Sequence, residues 1–525
     1  MIDENAANRC GDGQNAVHDG GGGHDDLQLK ISSTKFDIDE KWSQNLGKCI
    51  DGTPICHDGI VYAASHSGTL QGVHLVTGIP SISLHYPGDR FEAGCSVSAN
   101  GTNLLAFGGF AGIMRIFDLK QREEFHPQPI ATVNCGAEIR MAPAFDGANN
   151  DDEDGTKTTR LFWGSYDGHI WKLDITTNNT NLAQRSCAVV MAKFDASRHG
   201  FLRTNPLLLI SPNNQIPPSP PLVAIFGTLN GTLFAVSCKE FNSILWSLRM
   251  DSPIFAAPIT FIGHCLSLSV KGQILLVEPE NGHIISAFSA LSNYGHQFFD
   301  SPTPLIGDGN QIDAAKQQQQ LLLISAGANS LLLLSYNYRN GPTTQSDYSA
   351  AGGFSVLRRF LVPCQSAAGE CIVRRPILFE QHQQQRRFAF LLTNKGTLFR
   401  LWLDDELLLS LLSPSSLLPY PHPAGNNKDD SALPSPAAAG GTVVTRPPPP
   451  VSLLLDCVFT MDQQQLETFG HPLLLRHDNC CDNASSTTRQ HDDAVDDPPF
   501  VVVFGARDDL LRARLCVPRP RHSSQ

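Results

Sequence analysis

The chain has 525 residues, 41% of them hydrophobic and only 17% charged, with a net charge of −12 at pH 7. At roughly 100–200 residues per domain, this length allows several domains or one large repetitive domain, and 43 glycines and 35 prolines beside so few charges favour a turn-rich, all-β protein. The acidity excludes a general electrostatic attraction to nucleic acid or anionic lipid, so we expect neither partner.

The first 40 residues are predicted to be a disordered, polar and glycine-rich tail. They contain four consecutive glycines at 20–23 and lack the apolar segment of a secretory signal. The richest leucine stretches, such as residues 407–412, are far below the roughly 20 residues that a membrane span needs. We therefore expect a cytoplasmic protein that does not bind membranes, with its 14 cysteines reduced and mostly buried.

One unit recurs along the rest of the chain, and its clearest copy covers residues 258–277. A proline precedes a first strand, a second strand follows, and a tight turn with glycine leads into a third strand and a fourth apolar stretch. Periods of about 40–50 residues indicate propeller blades. Glycine at the turn supplies the positive φ that a tight hairpin requires. The turn glycines are Gly68, Gly112, Gly168, Gly231, Gly272 and Gly396.

Eight copies of this unit are found. They start at Pro54, Cys95, Pro143, Pro206, Pro258, Pro304, Pro376 and Pro472. Fourth-strand candidates serve only the first seven, at residues 82–85, 130–133, 186–190, 243–248, 284–288, 354–361 and 451–459. The eighth copy has a third strand at about 510–516, which runs into a proline that cannot continue a ladder.

An apolar stretch around Trp42 precedes the first unit and has no blade of its own. We predict that it supplies the missing fourth strand of the last blade and so closes the ring. The fold prediction is an all-β, eight-bladed β-propeller over residues 41–516, with seven blades as the alternative. Low-complexity insertions at about 307–320, 339–353, 404–450 and 477–499 are expected outside the ring, and residues 517–525 as a second disordered tail.

Four short segments and the turn Trp163-Gly-Ser-Tyr-Asp-Gly168 carry a family resemblance. The turn, with its surroundings, resembles the pyrroloquinoline-quinone-like (PQQ-like) repeat of propellers. Residues 47–54 (GKCIDGTP), 64–67 (ASHS), 89–92 (DRFE) and 505–508 (GARD) resemble the C-terminal propeller of the beta-alanine-activating enzyme, an acyl-CoA-synthetase-like family also called aminoadipate-semialdehyde dehydrogenase-like. The resemblance implies a propeller that follows an ATP-dependent adenylating domain and a phosphopantetheine carrier domain.

The catalytic motifs of that family are absent from this sequence. No phosphate loop followed by Pro-Lys is found, and Asp25 stands where a carrier domain has its modified serine, after Gly22-Gly-His24. We therefore predict a non-catalytic scaffold, not an enzyme, which binds a protein or acyl-carrier partner on a propeller face and is a monomer. A quinone-dependent oxidoreductase and a WD-repeat-like interaction hub are the alternatives.

Candidate site residues were weighed against structural roles, and none is predicted to be catalytic, cofactor-binding or metal-binding. Quinone enzymes of this fold use a vicinal disulfide, but Cys480–Cys481 lie in a polar insertion, and with His477 and Asp482 they are interpreted as incidental. The tip histidines His66, His169 and His283 are expected to be solvated or bonded to backbone. The basic residues are expected on solvated faces, namely Arg374, Arg375, Arg386, Arg387, Arg507, Arg512, Arg514, Arg519 and Arg521. Tryptophans 42, 163, 171 and 246 are expected to pack between blades.

Overall fold

Eight sheets, each built on four antiparallel strands, form the blades of a ring. The computed structural model of the chain describes residues 27–31, 36–98, 102–121, 127–146, 150–151, 156–178, 187–210, 222–293, 297–305, 319–327, 329–337, 353–364, 370–372, 374–381, 386–403, 454–459, 471–476 and 499–519. Each sheet runs in order from its first to its fourth strand. The prediction of an all-β, eight-bladed propeller is confirmed, and the seven-bladed alternative is wrong.

The blades follow one another along the chain. Blade one consists of Ile55–His57, Ile60–Ala64, Thr69–His74 and Pro80–His85. Blade two consists of Ser96–Val97, Leu104–Gly108, Ile113–Asp118 and Ala131–Asn134. Blade three consists of Ala144–Phe145, Thr156–Gly164, His169–Asn178 and Cys187–Asp195, and Asn150–Asp151 is added to it. Blade four consists of Leu207–Ile210, Leu222–Gly227, Thr232–Ser237 and Ile244–Arg249. Blade five consists of Ile259–Phe261, His264–Leu268, Ile274–Val277 and Ile284–Phe288. Blade six consists of Thr303–Pro304, Gln319–Ser325, Ser330–Asn337 and Gly353–Leu361. Blade seven consists of Ile377–Gln381, Arg386–Leu392, Leu398–Leu403 and Leu454–Phe459. Blade eight consists of Leu473–Arg476, Phe500–Gly505, Leu510–Pro518 and Phe36–Asn45.

The blade boundaries agree closely with the sequence pattern. Each first strand begins one residue after its predicted start, except in blade six, where it begins at Thr303, one residue before Pro304. Short 3₁₀ helices cover Leu119–Gln121, Ser197–His199 and Ala290–Asn293. No helix among the described residues is long and apolar enough to cross a membrane.

The hydrophobic core lies in the seams between neighbouring blades. Second strands such as Ile60–Ala64 and Phe500–Gly505 are buried along their whole length because a neighbouring sheet covers each of their faces. Eight clusters of buried apolar side chains fill the eight seams. The cluster between blades eight and one joins Trp42 and Leu46 to Val61 and its neighbours. The described residues therefore pack as one ring in which each blade supports the next.

The N-terminal strand closes the ring as predicted. Phe36–Asn45 pairs antiparallel with Leu510–Pro518, and Pro518 lies opposite Phe36 at the last position of the ladder. A bulge between Glu40 and Trp42 shifts the register, and the Trp42 ring is buried in the seam. The strand starts before Lys41, so part of the expected N-terminal tail belongs to blade eight, as Val517 and Pro518 of the expected C-terminal tail also do.

Residues 27–31, here called the N-terminal strap, bridge the outer edges of two further blades. Leu27 pairs in parallel with Phe360 of blade six, and Lys30 pairs in parallel with Leu454 of blade seven. Between them Leu29 is 4% exposed and lies in the core of that seam. The sequence analysis placed this segment in the disordered tail, although its alternation of apolar and polar residues is typical of a strand.

The predicted insertions fall almost wholly outside the described residues. Their described edges are short: Gln319 and Gln320 begin a strand of blade six, Gly353 begins another, and Pro499 precedes one in blade eight. Residues 404–450 are all outside the described part of the chain, as are Cys480 and Cys481.

Two tryptophans make the same hydrogen bond across opposite seams of the ring. Nε1 of Trp42 in blade eight donates to the Leu75 carbonyl of blade one at 2.7 Å, and Nε1 of Trp246 in blade four donates to the Pro279 carbonyl of blade five at 2.8 Å. Each ring covers a glycine of positive φ, Gly78 or Gly282, at which a Cβ atom would lie within 2.6 Å of the tryptophan. The predicted packing role of these residues is confirmed; Trp163 and Trp171 stack on each other within blade three.

Candidate functional site

One face of the ring carries the turns between second and third strands together with the connections between blades, and is here called the top face. In blade one the turn is residues 65–68, and its shape requires glycine: Gly68 has φ of +78°, and a Cβ there would lie 2.3 Å from the Tyr86 carbonyl oxygen. The residue two before this glycine donates its backbone N–H to the incoming connection. His66 N donates to Cys49 O at 2.9 Å, as Phe110 N does to Arg90 O at 3.0 Å in blade two.

A cavity of about 510 Å³ opens on the top face between blades eight and one, and is here called the seam pocket. Its lining comes from two connections and two turns. The lining residues are Lys48, Cys49, Asp51, His66, Arg90, Arg507 and Asp509. The pocket therefore forms where ring closure brings the two ends of the chain together.

Cys49, His66 and Asp51 form a connected row at the wall of this pocket. The Cys49 Sγ lies 2.8 Å from His66 Nδ1, and the other ring nitrogen, Nε2, lies 3.2 Å from Asp51 Oδ2. The His66 side chain is 9% exposed and that of Asp51 15%. Oδ1 of Asp51 and Nε2 of His66 are both buried and have no hydrogen-bond partner among the described residues, so the 3.2 Å contact between Nε2 and Oδ2 is an ion pair without hydrogen-bond geometry.

The charge state of this row is set by its neighbours. Burial by itself lowers the pKa of His66, but the Asp51 carboxylate and the Cys49 sulfur outweigh it and raise the pKa to about 9. Burial by itself raises the pKa of Asp51, but His66, Arg507 and Arg374 together lower it below its usual range. At neutral pH the pair is therefore an imidazolium facing a carboxylate.

This ion pair predicts a specific dependence of stability on pH. Because the pKa of His66 is about 9 in the folded chain and about 6.5 in an unfolded one, its stabilising contribution is complete below about pH 6.5 and is lost as the pH rises through about 9. Denaturant unfolding of the wild type and of His66→Gln should therefore converge in midpoint between these two pH values. Buried thiols also titrate in this pH range, but they lower the stability of both chains equally. A difference between the two midpoints that does not change with pH would therefore contradict the ion pair between His66 and Asp51.

The same three residues are close enough together to suggest a metal ion. One ligand atom from each lies within 4.8 Å of the others. Two ligands of a tetrahedral zinc ion are separated by about 3.5 Å, given Zn–S and Zn–N bonds of about 2.3 and 2.0 Å. Here Sγ and Nδ1 are 2.8 Å apart, and the carboxylate faces the opposite nitrogen of the ring. The imidazole thus lies between thiol and carboxylate, an arrangement suited to moving a proton.

A second charged pair ties the connections together nearer the ring axis. Asp300 Oδ2 lies 2.9 Å from His471 Nε2 and accepts a 3.1 Å hydrogen bond from the backbone N–H of Arg375. His471 N in turn donates to Thr53 Oγ1. Burial by itself raises the pKa of Asp300, but His471 outweighs it and holds the pKa well below its usual range. These contacts join blades six, seven, eight and one, which is a structural role.

A row of stacked side chains, here called the Arg–aromatic strip, leads away from the seam pocket across blades one to four. The Arg90 guanidinium lies over the Phe110 ring at 4.7 Å. The Arg140 guanidinium lies between two rings, 4.6 Å from the centre of Phe110 and 4.4 Å from that of Tyr166. Tyr166 stacks on Phe201 at 4.9 Å, and Phe201 is 50% exposed. Arg90 belongs to both the strip and the pocket, so the two form one continuous surface.

Sequence reasoning found the turns but not this site. The prediction that the His66 imidazole is solvated or bonded to backbone is wrong, because its two ring nitrogens face the side chains of Cys49 and Asp51. His169 begins the third strand of blade three directly after its turn, and His283 directly precedes the fourth strand of blade five; their side chains are 23% and 51% exposed. Alignment of the repeats would have given a signal, since His66 occupies the position held by Phe110 and Tyr166 in the next two blades.

The basic residues also differ from expectation. Arg512 is buried and pairs with Asp508, so its assignment to a solvated face is wrong. Arg519 remains exposed and lies 2.6 Å from Asp37. Arg507 lines the seam pocket. Arg521 and the group of His477, Cys480, Cys481 and Asp482 lie outside the described residues, so the interpretation of that group stays a prediction.

Fold and site thus define an eight-bladed propeller with a charged top-face pocket. No family model matches the chain, and no curated protein matches it in sequence. Among solved structures it is similar to Sqt1 of Saccharomyces cerevisiae, with a TM-score of 0.49 at 11% identity over 94% of this chain and 100% of that chain. It is also similar to BamB from Moraxella catarrhalis, with a TM-score of 0.43 at 12% identity over 72% and 94% of the two chains. Likeness at this level transfers no function.

Proposed function

We propose that the chain is a non-catalytic binding scaffold that takes an acidic segment of a protein partner across its top face. The Arg–aromatic strip is the observation that carries this proposal. Arginine and aromatic side chains dominate the energetics of protein interfaces. Here they are already stacked on one another, so binding immobilises few additional rotamers.

The charge of the seam pocket supports an acidic partner. Lys48, Arg90 and Arg507, together with protonated His66, outnumber the carboxylates of Asp51 and Asp509 at the pocket. The chain as a whole carries −12. A local excess of positive charge on an acidic protein steers acidic segments to that place and repels them elsewhere.

The sequence resemblance names a more specific partner. An acyl-carrier domain, which the beta-alanine-activating enzyme family has beside its propeller, is the partner that we propose to test first. The setting that we propose is the cytoplasm. None of the nine cysteines whose side chains are described forms a disulfide with another of them, and six of the nine are buried. Cys95 and Cys265 are examples in which burial raises the thiol pKa, in keeping with inert packing residues.

The test is selection of peptides from a phage-displayed random library on the immobilised full chain. We expect selected peptides to be rich in Asp and Glu, and the variants Phe201→Ala and Arg90→Ala to weaken their binding about tenfold or more. Leu245→Ala is the matched control, because Leu245 is also exposed but lies on the outer strand of blade four.

Two results would count against the proposal. Selected peptides without an excess of Asp and Glu would contradict the proposed acidic partner. Unchanged affinity in both Phe201→Ala and Arg90→Ala would contradict the Arg–aromatic strip as the binding surface. A separate titration with an isolated acyl-carrier domain, competed by a selected peptide, addresses only the identity of the partner. If the acyl-carrier domain does not bind while the selected peptides bind normally, the acyl-carrier domain is rejected as the partner and the proposal of a binding scaffold stands.

A further inference from the structure

Cys49 differs from the other described cysteines in what surrounds it. Most of them are buried among apolar side chains, whereas Cys49 is partly exposed and lines a cavity. Its sulfur lies 2.8 Å from His66 Nδ1, and Asp51 Oδ2 lies 3.2 Å from His66 Nε2. Thiol, imidazole and carboxylate thus stand in a row with the imidazole in the middle.

We infer that Cys49, His66 and Asp51 form a nucleophilic thiol site, which bonds covalently to the electrophilic carbon of a negatively charged ester or thioester. A nucleophile, a base within hydrogen-bond reach and a third group that orients the base are the elements of such sites. This inference goes beyond the binding function proposed above and does not depend on it. Nothing in the sequence pattern of the blades requires these three side chains to meet.

The chemistry of the step follows from the geometry. In the reactive form the proton of the 2.8 Å contact between Cys49 Sγ and His66 Nδ1 lies on Nδ1, so the ring is the imidazolium described above and the sulfur is a thiolate. Asp51 stabilises this imidazolium. The sulfur attacks the carbonyl carbon, an S–C bond forms, and the C–O or C–S bond to the leaving group breaks. The proton held at Nδ1 passes to the departing alkoxide or thiolate, so the products are S-acyl Cys49 and a free alcohol or thiol.

The pocket favours a ligand with negative charge. Lys48, Arg90 and Arg507 share the lining with the sulfur, and the 510 Å³ cavity has room for a small acyl compound. The carboxylate oxygen Asp51 Oδ1 is buried at this wall and has no hydrogen-bond partner among the described residues, so it is able to accept a donor group of the ligand.

Alkylation of the full-length chain, read by peptide mass mapping, tests the reactivity. Cys56 is the internal control: it is also partly buried, but burial and then Asp58 raise the pKa of its thiol. At pH 7 we expect iodoacetamide to modify Cys49 at least about tenfold faster than Cys56. Between about pH 6 and 8 the rate at Cys56 should rise about tenfold per pH unit, because the pKa of its thiol is raised.

Variants separate activation from simple exposure. His66→Gln should slow the alkylation of Cys49 about tenfold at pH 7, and Asp51→Asn should slow it in the same direction. Arg90→Ala should lower the ratio of the iodoacetate rate to the iodoacetamide rate at Cys49 but not at Cys56. Should His66→Gln loosen the fold, Cys56 and buried Cys265 will react faster in the same sample, and the Asp51→Asn and Arg90→Ala results then decide.

A direct acylation experiment completes the test. Incubation with p-nitrophenyl acetate should place an acetyl group on Cys49 in the wild type and leave it unmodified in His66→Gln. The inference is overturned if Cys49 reacts no faster than Cys56, or if Cys49 in His66→Gln reacts at the wild-type rate. It is also overturned if Cys49 becomes reactive only after treatment with a chelator, because the three residues would then be a metal site.

Discussion

A chain that lacks residues 1–46 is expected to aggregate or to lose its cooperative thermal transition. This deletion removes the fourth strand of blade eight, whose ladder runs along Leu510–Pro518, and with it the buried side chains of Trp42 and Leu46. The third strand then becomes an exposed edge beside an open apolar seam, which is a template for association with other chains. Size-exclusion chromatography and thermal unfolding followed by circular dichroism would measure the effect.

Two shorter deletions serve as controls for that experiment. A chain that lacks residues 1–26 keeps every described residue and should melt like the full chain. A chain that lacks residues 1–35 also loses the N-terminal strap with buried Leu29, and should melt at an intermediate temperature. Equal melting temperatures for the 1–26 and 1–46 deletions would contradict ring closure by the N-terminal strand.

Replacing Trp246 by alanine should lower the free energy of unfolding by about 3–5 kcal/mol. The substitution empties the space above Gly282 and removes the hydrogen bond to the Pro279 carbonyl. Trp246→Phe keeps an aromatic ring but not the donor, and should cost less, since a single neutral hydrogen bond contributes about 1 kcal/mol. Denaturant unfolding of the three chains gives the comparison.

The neighbouring residue provides the control for this substitution. Leu245 is 43% exposed on the same strand, so Leu245→Ala should change the free energy of unfolding by no more than about 0.5 kcal/mol. A loss as large at Leu245 as at Trp246 would show that the strand, and not the contact between blades four and five, is the sensitive element. Trp42, which makes the same contact across the ring, should respond like Trp246.

The architecture could be predicted because its signals are local. A proline before seven of the eight blades and a glycine at six of the hairpin tips act within a few residues, and the repeat they mark located every first strand to within one residue. The closing strand followed from a count of strands. The N-terminal strap was missed because its five residues have no turn signal, and because Leu27 pairs with Phe360, which is far away in the sequence.

The candidate site could not be predicted for a similar reason. Cys49 and Asp51 lie in a connection and His66 in a turn, and each was read by its own surroundings. Their meeting depends on how blades eight and one pack, with Ile50 inserted against Gly505 of the last blade. Periodicity predicts which residues face a seam, but not which polar side chains touch at its rim.

The order of the strands has a consequence for synthesis. Residues 36–45 leave the ribosome long before Leu510–Pro518, the strand that they pair with. At about 5–20 residues per second, the N-terminal segment waits roughly half a minute or more for its partner. Asp37, Asp39, Glu40 and Lys41 give this segment charged side chains that point to solvent in the finished ring. In the nascent chain the same charges keep an unpaired strand from joining the wrong neighbour.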